Sequence, residues 1–155
     1  MNRFNSLLLI ALSVCLTSSC NKEDEAEELK AEQKVEIESY VATNSLTGQF
    51  NASDLWYSIE VQGGGVQAYS GATVTVVYTG YLLNGTEFDA SSSQGATFSL
   101  NNVIQGWQMG IPKFKEGGKG KLIIPSDLGY GDKATGSIPA NSILIFDVEL
   151  LEVVN

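Results

Sequence analysis

Residues 144–151 read Leu144-Ile145-Phe146-Asp147-Val148-Glu149-Leu150-Leu151. Leu144, Phe146, Val148 and Leu150 fall on one side of an extended chain, while Asp147 and Glu149 fall on the other with Ile145. That two-residue period marks a strand with one buried face. Residues 73–78 repeat it, with Val74, Val76 and Tyr78 alternating with Thr73, Thr75 and Val77. Asn84-Gly85 is a pair favoured in two-residue hairpin turns, whose central positions need positive φ, so residues 81–83 and 86–88 are read as its arms. Residues 97–100 and 121–124 read as two further strands. Between them, Ile104, Trp107 and Ile111 are spaced to lay one apolar stripe along a short helix over residues 104–111. The sum is an α+β chain, an antiparallel sheet of about five strands wrapped on one short helix.

The chain has 155 residues, 43% of them hydrophobic, which is enough for one core of ordinary size. It contains no histidine, and its two cysteines, Cys15 and Cys20, both lie near the N-terminus. Cys/His zinc sites, Cys-His nucleophiles, Ser-His-Asp triads and imidazole general bases are therefore excluded. A net charge of -9 argues against a nucleic-acid partner, because phosphate binding needs a basic face. Gly63-Gly64-Gly65 and Glu116-Gly117-Gly118-Lys119 lack the spacing of a phosphate loop and read as turns. Most carboxylates sit in the N-terminal segment or on exposed strand faces, which disfavours glycosidase chemistry. Asp89, between Phe88 and Ala90, is the exception and is expected to be a buried charge.

The first residues are an address. Arg3 precedes an apolar run from Leu7 to Leu16, followed by Thr17, Ser18, Ser19 and Cys20. A run of about ten residues is too short for a bilayer core of roughly 30 Å, which takes about 20 residues as a helix. Residues 1–19 are accordingly read as a removable signal peptide. The small residues before Cys20 resemble a bacterial lipobox, making Cys20 the lipid anchor, although Leu16 lies one position further from the cysteine than that pattern prefers. Cys15, with Leu12 at the favoured spacing, is the rival, but Val14 is large for a cleavage position. A plain secreted protein is the remaining alternative. The residues Asn21 to Glu25 resemble the Lys-then-acidic signal of some surface-exposed lipoproteins of Bacteroidetes-type bacteria. The expected location is the cell envelope, lipid-anchored at the outer membrane and surface-exposed, not the cytoplasm.

Residues 22–38 are dense in Glu and Lys with few large apolar side chains, so residues 20–50 are read as a lipid-anchored acidic linker and residues 51–155 as the folded domain. Leu29, Gln33, Ile37 and Tyr40 fall roughly on one helical face, which leaves a transient helix open as an alternative, but the stripe is thin and uncapped.

Four stretches taken together carry a resemblance: Val77-Tyr78-Thr79-Gly80; Phe88-Asp89; Val103-Ile104-Gln105-Gly106-Trp107; and Gly129-Tyr130-Gly131, followed by Ile138-Pro139 and the strand at 145–151. In this order and spacing the chain resembles the FKBP-type peptidyl-prolyl isomerases, the immunophilins that bind macrolide immunosuppressants, over residues 58–153. The resemblance implies a half-barrel curled around the helix, with a pocket between helix and sheet. It implies Trp107 as the floor and Tyr78, Phe88, Phe98, Val103, Ile104, Tyr130, Ile138 and Phe146 as walls. Of these, Asp89, Tyr130, Tyr78, Phe88 and Phe146 are expected to act in catalysis, and Phe98, Val103, Ile104, Trp107 and Ile138 to bind substrate. Taken singly, each aromatic is also what core packing alone produces. Two departures concern the rim: residues 131–137 lack the histidine common in eukaryotic members, and Ala140 replaces their second proline. The implied activity is cis/trans isomerisation of Xaa-Pro bonds in exported or envelope proteins. The alternative is a weakly active or inactive module that binds proline-containing segments. The implied partners are proline-containing polypeptides and macrolide-type inhibitors, with membrane contact through the lipid anchor only. No cofactor or metal is expected.

Overall fold

The computed structural model describes residues 22–154, so residues 1–19, expected to be a signal peptide, and Cys20, expected to carry a lipid, lie outside the described residues. The chain runs α1 (Lys22–Thr43), β1 (Gln49–Phe50), β2 (Trp56–Val61), β3 (Thr73–Leu82), β4 (Glu87–Ala90), β5 (Ala96–Ser99), α2 (Gln105–Gly110), β6 (Lys119–Ile124) and β7 (Leu144–Val154). All seven strands join one sheet in the order β1-β2-β6-β7-β3-β4, with β5 also paired to β3. Every pairing is antiparallel. This is the α+β sheet expected from the sequence, with β1 and β2 added to the five strands anticipated.

The alternation read in β3 is strict: Val74, Val76, Tyr78 and Gly80 are buried and their neighbours are not. Together with Leu122 and Ile124 of β6, and Leu144, Phe146, Val148 and Leu150 of β7, they make the concave face that receives α2 and Trp107. Two glycines let α2 come close. A Cβ on Gly106 would lie 2.4 Å from Ile124, and one on Gly110 would lie 2.7 Å from Leu122. Both facing side chains are fully buried and have nowhere to retreat. A helical turn of residues 111–113 continues α2, so the apolar stripe at Ile104, Trp107 and Ile111 spans slightly more than the α-helix itself.

The hairpin between β3 and β4 departs from the expected two-residue turn. Gly85 N–H bonds to Leu82 O at 2.9 Å, and only Gly85 has positive φ, +83°. The loop is thus three residues, Leu83-Asn84-Gly85, a type I turn closed by a left-handed residue. The Asn84 side chain accepts the Thr86 N–H at 2.9 Å, which accounts for Asn at that position without positive φ.

The acidic lead-in is a helix over its described length, α1. Its first seven residues, 22–28, are exposed. From Leu29 onward it lies on the convex face, and the thin stripe read in the sequence is the docking face: Gln33 and Ile37 are buried, Leu29 and Tyr40 half-buried. The physical reason is on the sheet. Trp56, Ile123, Ile145 and Tyr81 stand opposite one another across β2, β6, β7 and β3, forming an apolar row on the convex side. Ile37 covers that row in a second core with Trp56, Ile123, Ile143 and Ile145. Lys34 adds an ion pair to Asp54 at 2.7 Å and lies over the Phe50 ring at 5.4 Å. An isolated helix this acidic is marginal in water, and it is the cover it provides that holds it. Packing therefore begins well before residue 51, in what the composition alone marks as linker.

Candidate active site

A cleft of about 280 Å³ opens on the concave side between α2, β3, β4, β5 and β7, lined by Tyr78, Phe88, Asp89, Phe98, Asn102, Val103, Ile104, Trp107, Tyr130 and Phe146. Small-molecule pockets run about 300–1,000 Å³, so this one suits a single ring with flanking backbone. Trp107 is its floor. Its indole meets the Tyr78, Phe98 and Phe146 rings edge-on, with centroids at 5.1, 5.5 and 5.3 Å. Phe88 meets Phe146 edge-on at 5.5 Å. Such T-shaped contacts add roughly 0.5–1.5 kcal/mol each beyond burial, and they fix the rings against one another.

Sheet geometry explains how neighbouring residues reach one cleft. Strand register places Leu122, Phe146, Gly80 and Asp89 in a row across β6, β7, β3 and β4. At the β3–β4 edge the register skips: Gly80 pairs with Asp89, and Tyr81 pairs with Glu87. Phe88 is thus the extra residue of a β-bulge, a device that re-aims side chains. It lets Phe88 and Asp89, which a regular strand sends to opposite faces, both line the cleft. Gly80 makes the room. A Cβ there would lie 2.6 Å from two Phe88 ring atoms and 3.0 Å from Phe146.

Asp89 is exposed at the cleft edge and not buried as its apolar neighbours suggested, because β4 is an edge strand. Its Oδ2 accepts the Tyr78 hydroxyl at 2.7 Å. The Tyr78 phenol is pushed up from 10.0 to about 12, by burial first, then by the hydrogen bond to Asp89 and its charge, and by Tyr130. The folded protein thus keeps this proton where the unfolded chain releases it. The associated stability is fully present below about pH 10 and is lost as pH rises toward about 12. A tyrosinate absorbance titration is expected to show a step near pH 12 that Tyr78→Phe removes. An unchanged titration curve in that variant would contradict the assignment.

The other expected residues fall as follows. Phe98, Val103 and Ile104 line the cleft, and Tyr130 stands at its rim, 39% exposed. Ile138 does not line it: 6% exposed, it belongs to the main core behind the rim. Ile104 caps α2, its carbonyl accepting the N–H groups of Trp107 at 3.0 Å and Gln108 at 3.2 Å. Its own N–H takes no acceptor among the backbone hydrogen bonds of the described residues. The Gln108 side chain donates to Val103 O at 2.8 Å and fixes the turn that presents it. Asn102 lines the cleft and Gly80 shapes it. The sequence reading placed neither in the site, Asn102 because a polar loop residue carries no periodic signal. Among the described residues, no group of His, Cys, Asp and Glu is placed to hold a metal ion.

Residues 64–151 match the family FKBP-type peptidyl-prolyl cis-trans isomerase. The chain belongs to that family. The FKBP-type chain is 43% identical over 143 residues to FkpA of Buchnera aphidicola subsp. Schizaphis graminum, covering 82% of this chain and 57% of that protein. It is 47% identical over 97 residues to the FK506-binding protein of Neisseria meningitidis, covering 59% of this chain and 89% of that one. Among solved structures it resembles FkpA from Escherichia coli, with a TM-score of 0.70 and 36% identity, over 84% of this chain and 63% of that one. It also resembles AtFKBP13, with a TM-score of 0.64 and 34% identity, over 70% of this chain and 99% of that one. The chain spans about half the length of the curated FkpA relatives it matches.

Proposed function

We propose that the cleft accelerates cis/trans rotation of Xaa-Pro bonds in polypeptides. The observation that carries this reading is the Trp107-floored aromatic cleft with the Tyr78–Asp89 hydrogen bond at its edge, in a chain of this family. Rotation about the amide has a barrier of about 18–20 kcal/mol because resonance gives the C–N bond double-bond character. No bond is made or broken, so neither a nucleophile nor a proton carrier is needed, in keeping with a chain that has no histidine. The planar amide is more polar than the twisted one, and water stabilises it. An apolar, water-poor cleft withdraws that stabilisation and favours the twist. The rings of Trp107, Tyr78, Phe88, Phe98 and Phe146 grip the pyrrolidine. The Ile104 N–H and the Tyr130 hydroxyl hold carbonyls of the bound peptide, and Asp89 orients the Tyr78 hydroxyl while facing the substrate carbonyl. The same cleft is proposed to take macrolide-type inhibitors.

The substrates proposed are exported or envelope proteins, because residues 1–19 read as a signal peptide and Cys20 as a lipid anchor. Among the described residues no helix is long and apolar enough to cross a membrane. The anchor proposed is a lipid on Cys20. It holds the domain at the outer membrane, exposed at the surface. Cys20→Ala is expected to release the protein from the membrane fraction, and retention of that variant with membranes would contradict the anchor.

The activity is tested by following prolyl exchange in a short peptide with the parent, Asp89→Ala and Tyr130→Phe. The expected outcome is acceleration by the parent and a drop of about tenfold or more in each variant, roughly 1.4 kcal/mol of barrier. Peptide binding without any acceleration by the parent would support the binding-module alternative instead.

A further inference from the structure

We infer that Gln33 of α1 is a positioning residue for Tyr130, closing from outside the cleft a ring of hydrogen bonds that sets the rim. This rests on the isomerase reading for its consequence, though not for its geometry. Gln33 is a polar side chain only 4% exposed, and its amide is satisfied at both ends. Its Oε1 accepts the Ser126 N–H at 2.8 Å, and its Nε2 donates to Asn141 O at 2.8 Å. Those two residues begin and end the segment that carries Tyr130.

The ring continues through that segment. Ser126 O accepts the N–H groups of Gly129 at 3.0 Å and Gly131 at 2.8 Å, the two residues flanking Tyr130. Gly131 O accepts the Asn141 N–H at 2.8 Å. Gln33, Ser126, Gly131 and Asn141 thus form a closed circuit, and Tyr130 projects from between two of its members. Gly131 and Asn141 both have positive φ, 64° and 57°, conformations the circuit holds in place. Lys30 lies 3.8 Å from Asp127, one turn earlier on the same helix face.

A glutamine is suited to this task because it offers an acceptor and a donor from one planar group. Were Gln33 only a filler of the helix–sheet contact, an apolar residue of similar length would serve as well. It sits instead where two loops present one backbone N–H and one backbone C=O with no strand partner. The consequence falls on substrate binding: a rim tyrosine free to wander weakens the grip on the peptide carbonyl more than it alters the apolar floor.

The test compares the parent with Gln33→Met, which keeps length and loses both hydrogen bonds, and Gln33→Glu, which keeps the acceptor for Ser126 alone. Amide hydrogen exchange is expected to quicken at least about tenfold at Ser126, Gly131 and Asn141 in Gln33→Met, with β3, β6 and β7 unchanged. In Gln33→Glu the Ser126 amide stays protected. In the peptide assay, KM is expected to rise several-fold in Gln33→Met with kcat within about twofold of the parent, and Gln33→Glu to restore part of the loss. Unchanged exchange at the three amides, or exchange quickened evenly across the domain, would overturn the proposal. So would a fall in kcat at constant KM. A parent that does not accelerate prolyl exchange overturns the isomerase reading, and the local exchange pattern then decides the clamp by itself.

Discussion

Trp107→Ala is expected to lower stability by about 3–5 kcal/mol and to reduce catalysed prolyl exchange by at least about a hundredfold, roughly 2.7 kcal/mol of barrier. The indole is 4% exposed and touches three other aromatic rings, so truncation leaves a cavity that rigid neighbours cannot fill. Domains of this size are stable by about 5–15 kcal/mol, and the variant is expected to remain folded with a lower urea midpoint. The second tryptophan, Trp56, lies in the other core and still reports unfolding by fluorescence. A variant that unfolds earlier yet keeps the parent's rate per folded molecule would contradict the assignment of Trp107 as the floor.

Gly80→Ala separates cleft shape from fold stability. The added Cβ falls 2.6 Å from the Phe88 ring, which belongs to an edge strand and is only half-buried, so that ring can swing outward, and 3.0 Å from the buried Phe146 ring, which has to give by only a few tenths of an ångström. The stability loss is expected to stay near the low end of the about 1–3 kcal/mol typical of overpacking. The cleft loses a wall, and kcat/KM is expected to fall by about tenfold or more, roughly 1.4 kcal/mol. The contrast is Gly106, where the Cβ would meet the fully buried Ile124 and the cost would appear in stability. Equal losses of stability and rate in Gly80→Ala would mean that Phe88 is held more firmly than its exposure indicates.

What the sequence made legible was what obeys a period. β3 and β7 bury one face along most of their length, and α2 buries one stripe, so each announced itself by spacing. β2 did not. Its second buried position is Ser58, a polar residue that breaks the alternation and is accommodated because its hydroxyl accepts the Lys121 N–H at 3.1 Å. α1 was only faintly marked, for a different reason: two buried residues in twenty-two leave its composition that of a solvated segment, with a thin stripe as its one periodic signal. The clue lay elsewhere, in Ile145, an apolar residue on the polar side of β7 that needed a cover. The cleft residues were recognisable as a set from their order along the chain, whereas their convergence was not. It depends on a bulge at Phe88 and on the absence of a side chain at Gly80, both visible only once the strands are in register. Asp89 shows the same limit, since apolar neighbours in sequence do not bury a residue on an edge strand.

The most direct test of the account is the rate of prolyl cis/trans exchange in a short Xaa-Pro peptide, measured by exchange spectroscopy with and without the protein from about pH 6 to 8. Catalysis by desolvation needs no proton carrier, the chain has no histidine, and the Tyr78 phenol is held at about 12. The predicted result is exchange well above the uncatalysed rate and flat across that range. Exchange no faster than in buffer, or a rate that steps near pH 6.5, would contradict it.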